Sequence, residues 1–147
     1  MANIFNVARY ILKSMGSVST WKLQKLCYYS QAWSIAWTET PLFSEDFEAW
    51  TNGPVCPQLF HAHQGAFFIA LKDLPEQKED QSSPLTEDQK DTIDKVLEFY
   101  GNKEPFELRE STHQEAPWKN ARGDCPEGER CNAIITKESM GEYYGSL

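Results

Sequence analysis

No window of the sequence approaches the ~18 consecutive apolar residues that a membrane-crossing helix needs. No N-terminal stretch combines the charged start and apolar run of a secretory signal. Both absences point to a soluble protein of the cytoplasm. Basic residues are also scarce: 14 Lys and Arg stand against 22 Asp and Glu, for a net charge of −8. Such a surface is repelled by phosphate backbones unless a local basic patch overrides the total. The densest basic stretch, Trp21 to Leu26 (WKLQKL), holds only two lysines. Direct nucleic-acid binding is therefore not expected. An acidic surface suits solubility or a basic protein partner.

The chemical templates are missing too. There is no Walker loop, no dinucleotide fingerprint and no H-E-x-x-H. The four cysteines form no C-x₂₋₄-C pair of the kind zinc sites use. Cys27 falls in an apolar helical stretch and Cys56 in a proline-rich one. Cys125 and Cys131 share a polar loop, where a disulfide or a metal site is the alternative to two free thiols. His61 and His63, two apart, occupy different faces of a helix and cannot jointly hold a metal. No cofactor and no metal are expected. The RGD at Arg122 to Asp124 carries no adhesion meaning in a chain without signs of secretion.

What is present fits one folded unit. A chain of 147 residues is close to the commonest size for a single domain and can bury a core without staples. Aromatic residues make up 13%, including five Trp, enough to fill a core and still anchor a partner. Ile4, Ala8, Ile11 and Met15 recur at helical spacing before Gly16. Ser19 or Thr20 can cap a second helix running to about Trp37, apolar on most faces and hence central. Phe47 to Thr51 alternates like a short strand, Asn52-Gly53-Pro54 is turn chemistry, and Pro57 can open a helix. A further extended run is expected near Phe67 to Leu71.

Pro75 to Pro84 is a solvated loop. Thr86 to Gln89 is a capping box for a helix carrying Ile93, Val96, Leu97 and Tyr100, ended by Gly101. A short helix is expected over Pro105 to Glu110. A loop follows over Arg122 to Asn132, then a minimal strand at Ile134 and Ile135, and a last helix capped by Thr136. The expectation is an α+β, mainly α-helical fold. It is a compact single domain over residues 1–147, with about five or six helices around the central apolar one and a small β-sheet of short strands.

The stretch ESTHQEAPW (Glu110 to Trp118) holds the parts of a hydrolase: Ser111, Thr112, His113 and two glutamates. Pro117 disfavours helix at Ala116, so the preceding helix should end there. His113 would then meet its last carbonyls, while Trp118 folds back into the core. That structural account needs no substrate. The catalytic alternative uses His113 with Glu110 or Glu115.

Three motifs occur in order: TWKLQKLCYYSQAW (Thr20 to Trp33), FEAWTNGPVCPQLF (Phe47 to Phe60) and ESTHQEAPW. Together they resemble the Panacea domain family, the SocA-like and GepA-like proteins. The family outline is a K-L-Q-K-L-x-Y-Y helix, an F-x-A-W-x-x-G-P-V segment and a T-H-x-x-x-P-W turn. The resemblance implies a mainly helical bacterial antitoxin, common in prophages, that neutralises a cognate toxin by direct binding. It implies no catalytic activity and no cofactor. One branch of the family delivers its toxin to an ATP-dependent protease, and a phage protein binding another host factor is a further alternative. The family-motif residues are Lys22, Gln24, Lys25, Tyr28, Tyr29, Trp33, Trp50, Gly53, Pro54, His113, Pro117 and Trp118. They are expected to form the scaffold, with Lys22 and Gln24 as candidates for partner contact. The loops Pro75 to Pro84 and Arg122 to Asn132 match no family motif and are expected to carry partner choice.

Overall fold

The computed structural model describes residues Met1–Leu147. Seven helices alternate with five short strands: α1 (Ile4–Met15), β1 (Val18–Ser19), α2 (Thr20–Thr38), β2 (Phe47–Trp50), β3 (Gly53–Val55), α3 (Pro57–His63), β4 (Phe68–Ile69), α4 (Glu87–Tyr100), α5 (Pro105–Gln114), α6 (Ala116–Arg122), β5 (Ile134–Ile135) and α7 (Lys137–Gly145). The mainly helical α+β class is as expected, with one helix more than the sequence pattern indicates. That helix is α6.

Local chemistry sets most boundaries. Asn3 caps α1 by accepting from the Phe5 and Asn6 amides, and Gly16 ends it at φ 76°. The Ser19 hydroxyl accepts from the Lys22 amide at 3.0 Å, and Thr86 and Gln89 close the reciprocal capping box of α4. Thr136 caps α7. Each N-terminal cap satisfies amides that the first turn of a helix leaves unpaired.

The central position of α2 follows from its residue pattern. From Leu23 to Ala32 every residue is buried, so the helix has no solvent face over almost three turns. It packs against α1, α4, α5 and α7. The core is one cluster of 28 buried residues. β2 pairs antiparallel with β3 in a hairpin and on its other edge with β5. β1 and β4 form a separate two-stranded pair.

Two expectations are corrected. Pro117 does not sit in a plain turn. It lies in the first turn of α6, where a missing N–H costs nothing, so Glu115 both closes α5 and opens α6. Arg122 is not a loop residue but the buried end of α6. It donates to the Ala49 carbonyl at 2.9 Å, Pro126 at 2.8 Å and Glu129 at 2.6 Å, and so holds the following loop against β2. That gives the RGD sequence a structural reason. The Pro75 to Pro84 segment is the solvent-facing loop expected, with a 3-10 turn at Glu76–Lys78. It is tethered by Asn3 to the Lys78 carbonyl (2.9 Å) and by the Asp80 amide to Asn6 (3.0 Å).

Candidate functional site

The three sequence motifs meet at one seam, where the N-terminal half of α2 faces the β2–β3 hairpin and the α5–α6 corner. Gln24 is fully buried. Its carboxamide oxygen accepts from the Cys56 amide at 2.9 Å, and its nitrogen donates to the Cys56 carbonyl at 3.3 Å. The side chain therefore acts as an extra strand partner for the residue after β3. The same nitrogen lies 3.0 Å from His63 Nε2, and burial lowers the pKa of that imidazole, keeping it an acceptor. Gln24 is thus a buried clamp, which corrects its reading as a partner contact. Lys22 stays half-buried at the helix start.

Lys25 is the most costly residue of the seam. It is 1% exposed, and its ammonium donates to the Pro54 carbonyl at 3.3 Å. Burial, and after it the charge of Arg109, hold its pKa down to about 7. Gly53 is fitted to this side chain. At φ +114°, an added Cβ would lie 2.5 Å from Lys25 Cε and 3.0 Å from Thr112 Oγ1. Only glycine permits both the backbone angle and the approach. Pro54 is buried beside it.

On the next turn, Tyr28 and Tyr29 enter an aromatic and hydroxyl network. Tyr29 stacks on Tyr100 with ring centroids 4.0 Å apart. Its hydroxyl donates to Glu115 Oε1 at 2.8 Å and lies 2.6 Å from Ser111 Oγ. Tyr144, from α7, donates to the same carboxylate oxygen at 2.8 Å and lies 3.1 Å from the Tyr28 hydroxyl. Burial raises the Glu115 pKa, and the two tyrosine donors pull it back. Trp33 donates to the Tyr100 hydroxyl at 3.0 Å.

The T-H-x-x-x-P-W corner closes the seam. His113 does not cap the carbonyls of α5; the Glu115 amide bonds the Thr112 carbonyl instead, at 3.2 Å. The imidazole lies flat on Trp118, centroids 3.9 Å apart and planes 9° from parallel. Its Nε2 is closed off from solvent and has no hydrogen-bond partner. Trp118, braced by Pro117, donates to the Trp50 carbonyl at 2.9 Å, and Trp50 donates to Glu48 at 2.8 Å. The carboxylates proposed as partners of His113 are engaged elsewhere: Glu110 pairs with Arg109 at 2.9 Å and Glu115 holds the tyrosines. Neither glutamate is hydrogen-bonded to His113 in this arrangement.

A family model described as "Antitoxin SocA-like, Panacea domain" matches residues 23–119. The chain belongs to the SocA-like Panacea family. No curated protein and no solved structure gives a match to it. The matched span of this Panacea domain contains every motif residue of the seam except Lys22. It leaves out α1 and α7, although Ile4, Val7, Met140 and Tyr144 belong to the same core cluster.

The Panacea domain also carries a surface that the motif reading missed. At the C-terminal end of α2, a cavity of about 630 Å³ opens between that helix, α4 and the α5–α6 corner, where Ser111 and Glu115 reach it. Trp33, Trp37, Val96, Phe99 and Tyr100 line it. Trp37 is 50% exposed and Phe99 67%. Lys95 lies 5.8 Å from the Trp37 ring and Lys103 5.4 Å from Phe99. The sequence held one signal for it: Phe99 is a large apolar residue outside the Ile93, Val96, Leu97, Tyr100 stripe of α4. In the other polar loop, Cys125 and Cys131 bring their sulfurs to 2.6 Å. No group of three or more His, Cys, Asp or Glu side chains is arranged to hold a metal, and no helix is long and apolar enough to cross a membrane.

Proposed function

We propose that this chain is an antitoxin that neutralises a toxin protein by direct binding, with the Trp37–Phe99 groove as its principal contact surface. The observation that carries the reading is the groove itself, on a domain of antitoxin type. Large rings left half-exposed around a cavity are what protein interfaces use as anchors. Lys95 and Lys103 at its edge are matched by a partner segment with an apolar core and acidic flanks, although the whole surface is acidic. The buried motif residues hold the scaffold that presents the groove. The chain works in the cytoplasm as one unit over its whole length, without a catalytic step or a cofactor.

Co-expression with the product of the neighbouring gene tests this reading. The toxin should arrest growth alone, lose its toxicity beside this protein and co-purify with it. Trp37→Ser and Phe99→Ser variants should fold, yet fail to rescue growth. A neighbour that is harmless alone, or that stays toxic and unbound, would refute the assignment. The toxin's half-life separates the two modes of action. Blocking preserves or lengthens it, whereas delivery to an ATP-dependent protease shortens it. Retention of a harmless host protein in place of a toxin would point to the host-factor alternative. His113→Ala should keep full neutralisation; loss of activity in a folded variant would return His113 to the catalytic account.

A further inference from the structure

A second cavity, of about 200 Å³, lies at the opposite end of α2 and is lined by Trp21, Lys25, Asn52, Pro105, Phe106 and Arg109. Its walls are mostly carbon, yet two cationic side chains reach it. Lys25 is almost wholly buried and makes no ion pair. Of its three donor hydrogens, the Pro54 carbonyl takes one, at 3.3 Å. Buried ammonium groups are normally paired with an acid, because desolvation is otherwise uncompensated. The other groups around Lys25 offer it no negative charge. The Trp21 ring lies 5.1 Å from the ammonium, and Thr112 Oγ1 donates to the Arg109 carbonyl at 2.9 Å. Arg109 on α5 and the imidazoles of His63 and His113 are close enough for the charges to be felt.

Arg109 is only partly engaged. Its Nε donates to Asn52 Oδ1 at 3.2 Å and one terminal nitrogen pairs with Glu110 at 2.9 Å. The rest of the guanidinium fork is free. Above the two cations, Trp21 is 36% exposed and Phe106 67%, so the mouth of the cavity is an aromatic pair. On a protein of net charge −8, this is a local cationic recess under apolar walls.

We infer that Lys25 and Arg109 form a seat for a side-chain carboxylate, supplied by an acidic residue of the protein partner. The inference rests on the reading of this chain as a protein-binding module. A carboxylate in the recess supplies the missing acceptor for the buried ammonium and takes a charge-assisted bond from the free edge of the guanidinium. Its methylene stem packs between Trp21 and Phe106, which exclude water and strengthen the pair. The small volume and carbon walls suit a carboxylate on an aliphatic stem better than a tetrahedral, multiply charged phosphate. The seat lies at the N-terminal end of α2 and the aromatic groove at its C-terminal end, with no lining residue in common, so the two contacts are separable.

The test follows the Lys25 ¹³Cε signal of the full chain by NMR through a pH titration. The probes are N-acetyl-glutamate amide, its glutamine counterpart and inorganic phosphate at matched ionic strength. The glutamate compound should move the Lys25 signal and raise its titration midpoint, and the glutamine compound should do neither. Arg109→Gln, a half-exposed position, should weaken the glutamate effect roughly tenfold while leaving the fold intact. A Lys25 signal indifferent to the glutamate compound, equal responses to both compounds, or tighter binding of phosphate would each overturn the assignment. None of these outcomes touches the growth-rescue assay on Trp37 and Phe99, so the seat and the antitoxin reading can fail independently.

Discussion

The two halves of α2 present opposite kinds of surface. Its N-terminal half faces the hairpin and the α5–α6 corner with buried polar side chains, and the Gln24 carboxamide and the Tyr29 hydroxyl there are both met by partners. Its C-terminal end leaves Trp37 half-exposed, with Phe99 exposed on α4, and a lysine lies over each ring. The buried polar side chains of the first half fix the fold by hydrogen bonds, whereas exposed rings are left at the two ends of the helix, Trp21 at one and Trp37 at the other. The family motif is dense in the first half and thin in the second. A motif can thus mark where a structure is hardest to build, and the contact surface can lie beside it.

The contrast can be broken most sharply at Lys25. Its folded pKa is about 7 against an ordinary value of 10.5. Between those values the unfolded chain holds a proton that the folded chain does not, so stability should rise with pH across that window. The slope approaches ~1.4 kcal/mol per pH unit where the two states differ most. Urea unfolding at a series of pH values should show this rise in the parent and a flatter profile in Lys25→Met. Equal slopes would mean that the buried amine keeps its charge.

Gly53→Ala should cost about 3 kcal/mol, because a side chain at φ +114° adds backbone strain to a collision with Lys25. A loss no larger than that of an ordinary surface change would show that the hairpin can shift away from α2. Gln24→Leu keeps the volume but strips the Cys56 amide of its acceptor, at a cost of about 2 kcal/mol. Chemical denaturation reads both.

The smallest stability effects belong to the other half of the helix. Trp37→Ser and Phe99→Ser should each stay within ~0.5 kcal/mol of the parent, while losing partner binding. If either unfolds the domain, the groove is structural and the contrast between the halves of α2 disappears.

Gly16 at the end of α1, the N-terminal caps of α2, α4 and α7 and the strand at Ile134–Ile135 were legible in the residues, and the turn expected at Asn52-Gly53-Pro54 lies one step earlier, with Gly53 and Pro54 already in β3. Each depends on neighbours a few positions away, and local amides must be satisfied wherever the chain goes. The family was legible as well, because three motifs in order specify it together. His113 was misread as a cap, since stacking on Trp118 becomes visible only when α6 turns back. The α6 helix itself was missed because Pro117 signals the end of one helix and the start of another with the same chemistry.

Fold class, central helix and family membership were thus determined by the sequence alone, through periodicity and short-range hydrogen bonding. Tertiary structure decided which polar residues would be buried and which rings would be left out. Tyr29 and Glu115, 86 residues apart, meet only because α2 and the α5–α6 corner pack together. Lys25 is stranded without an acid only because Gly53 lets the hairpin close over it. Burial belongs to the elements that cover a residue, and no residue carries that information by itself.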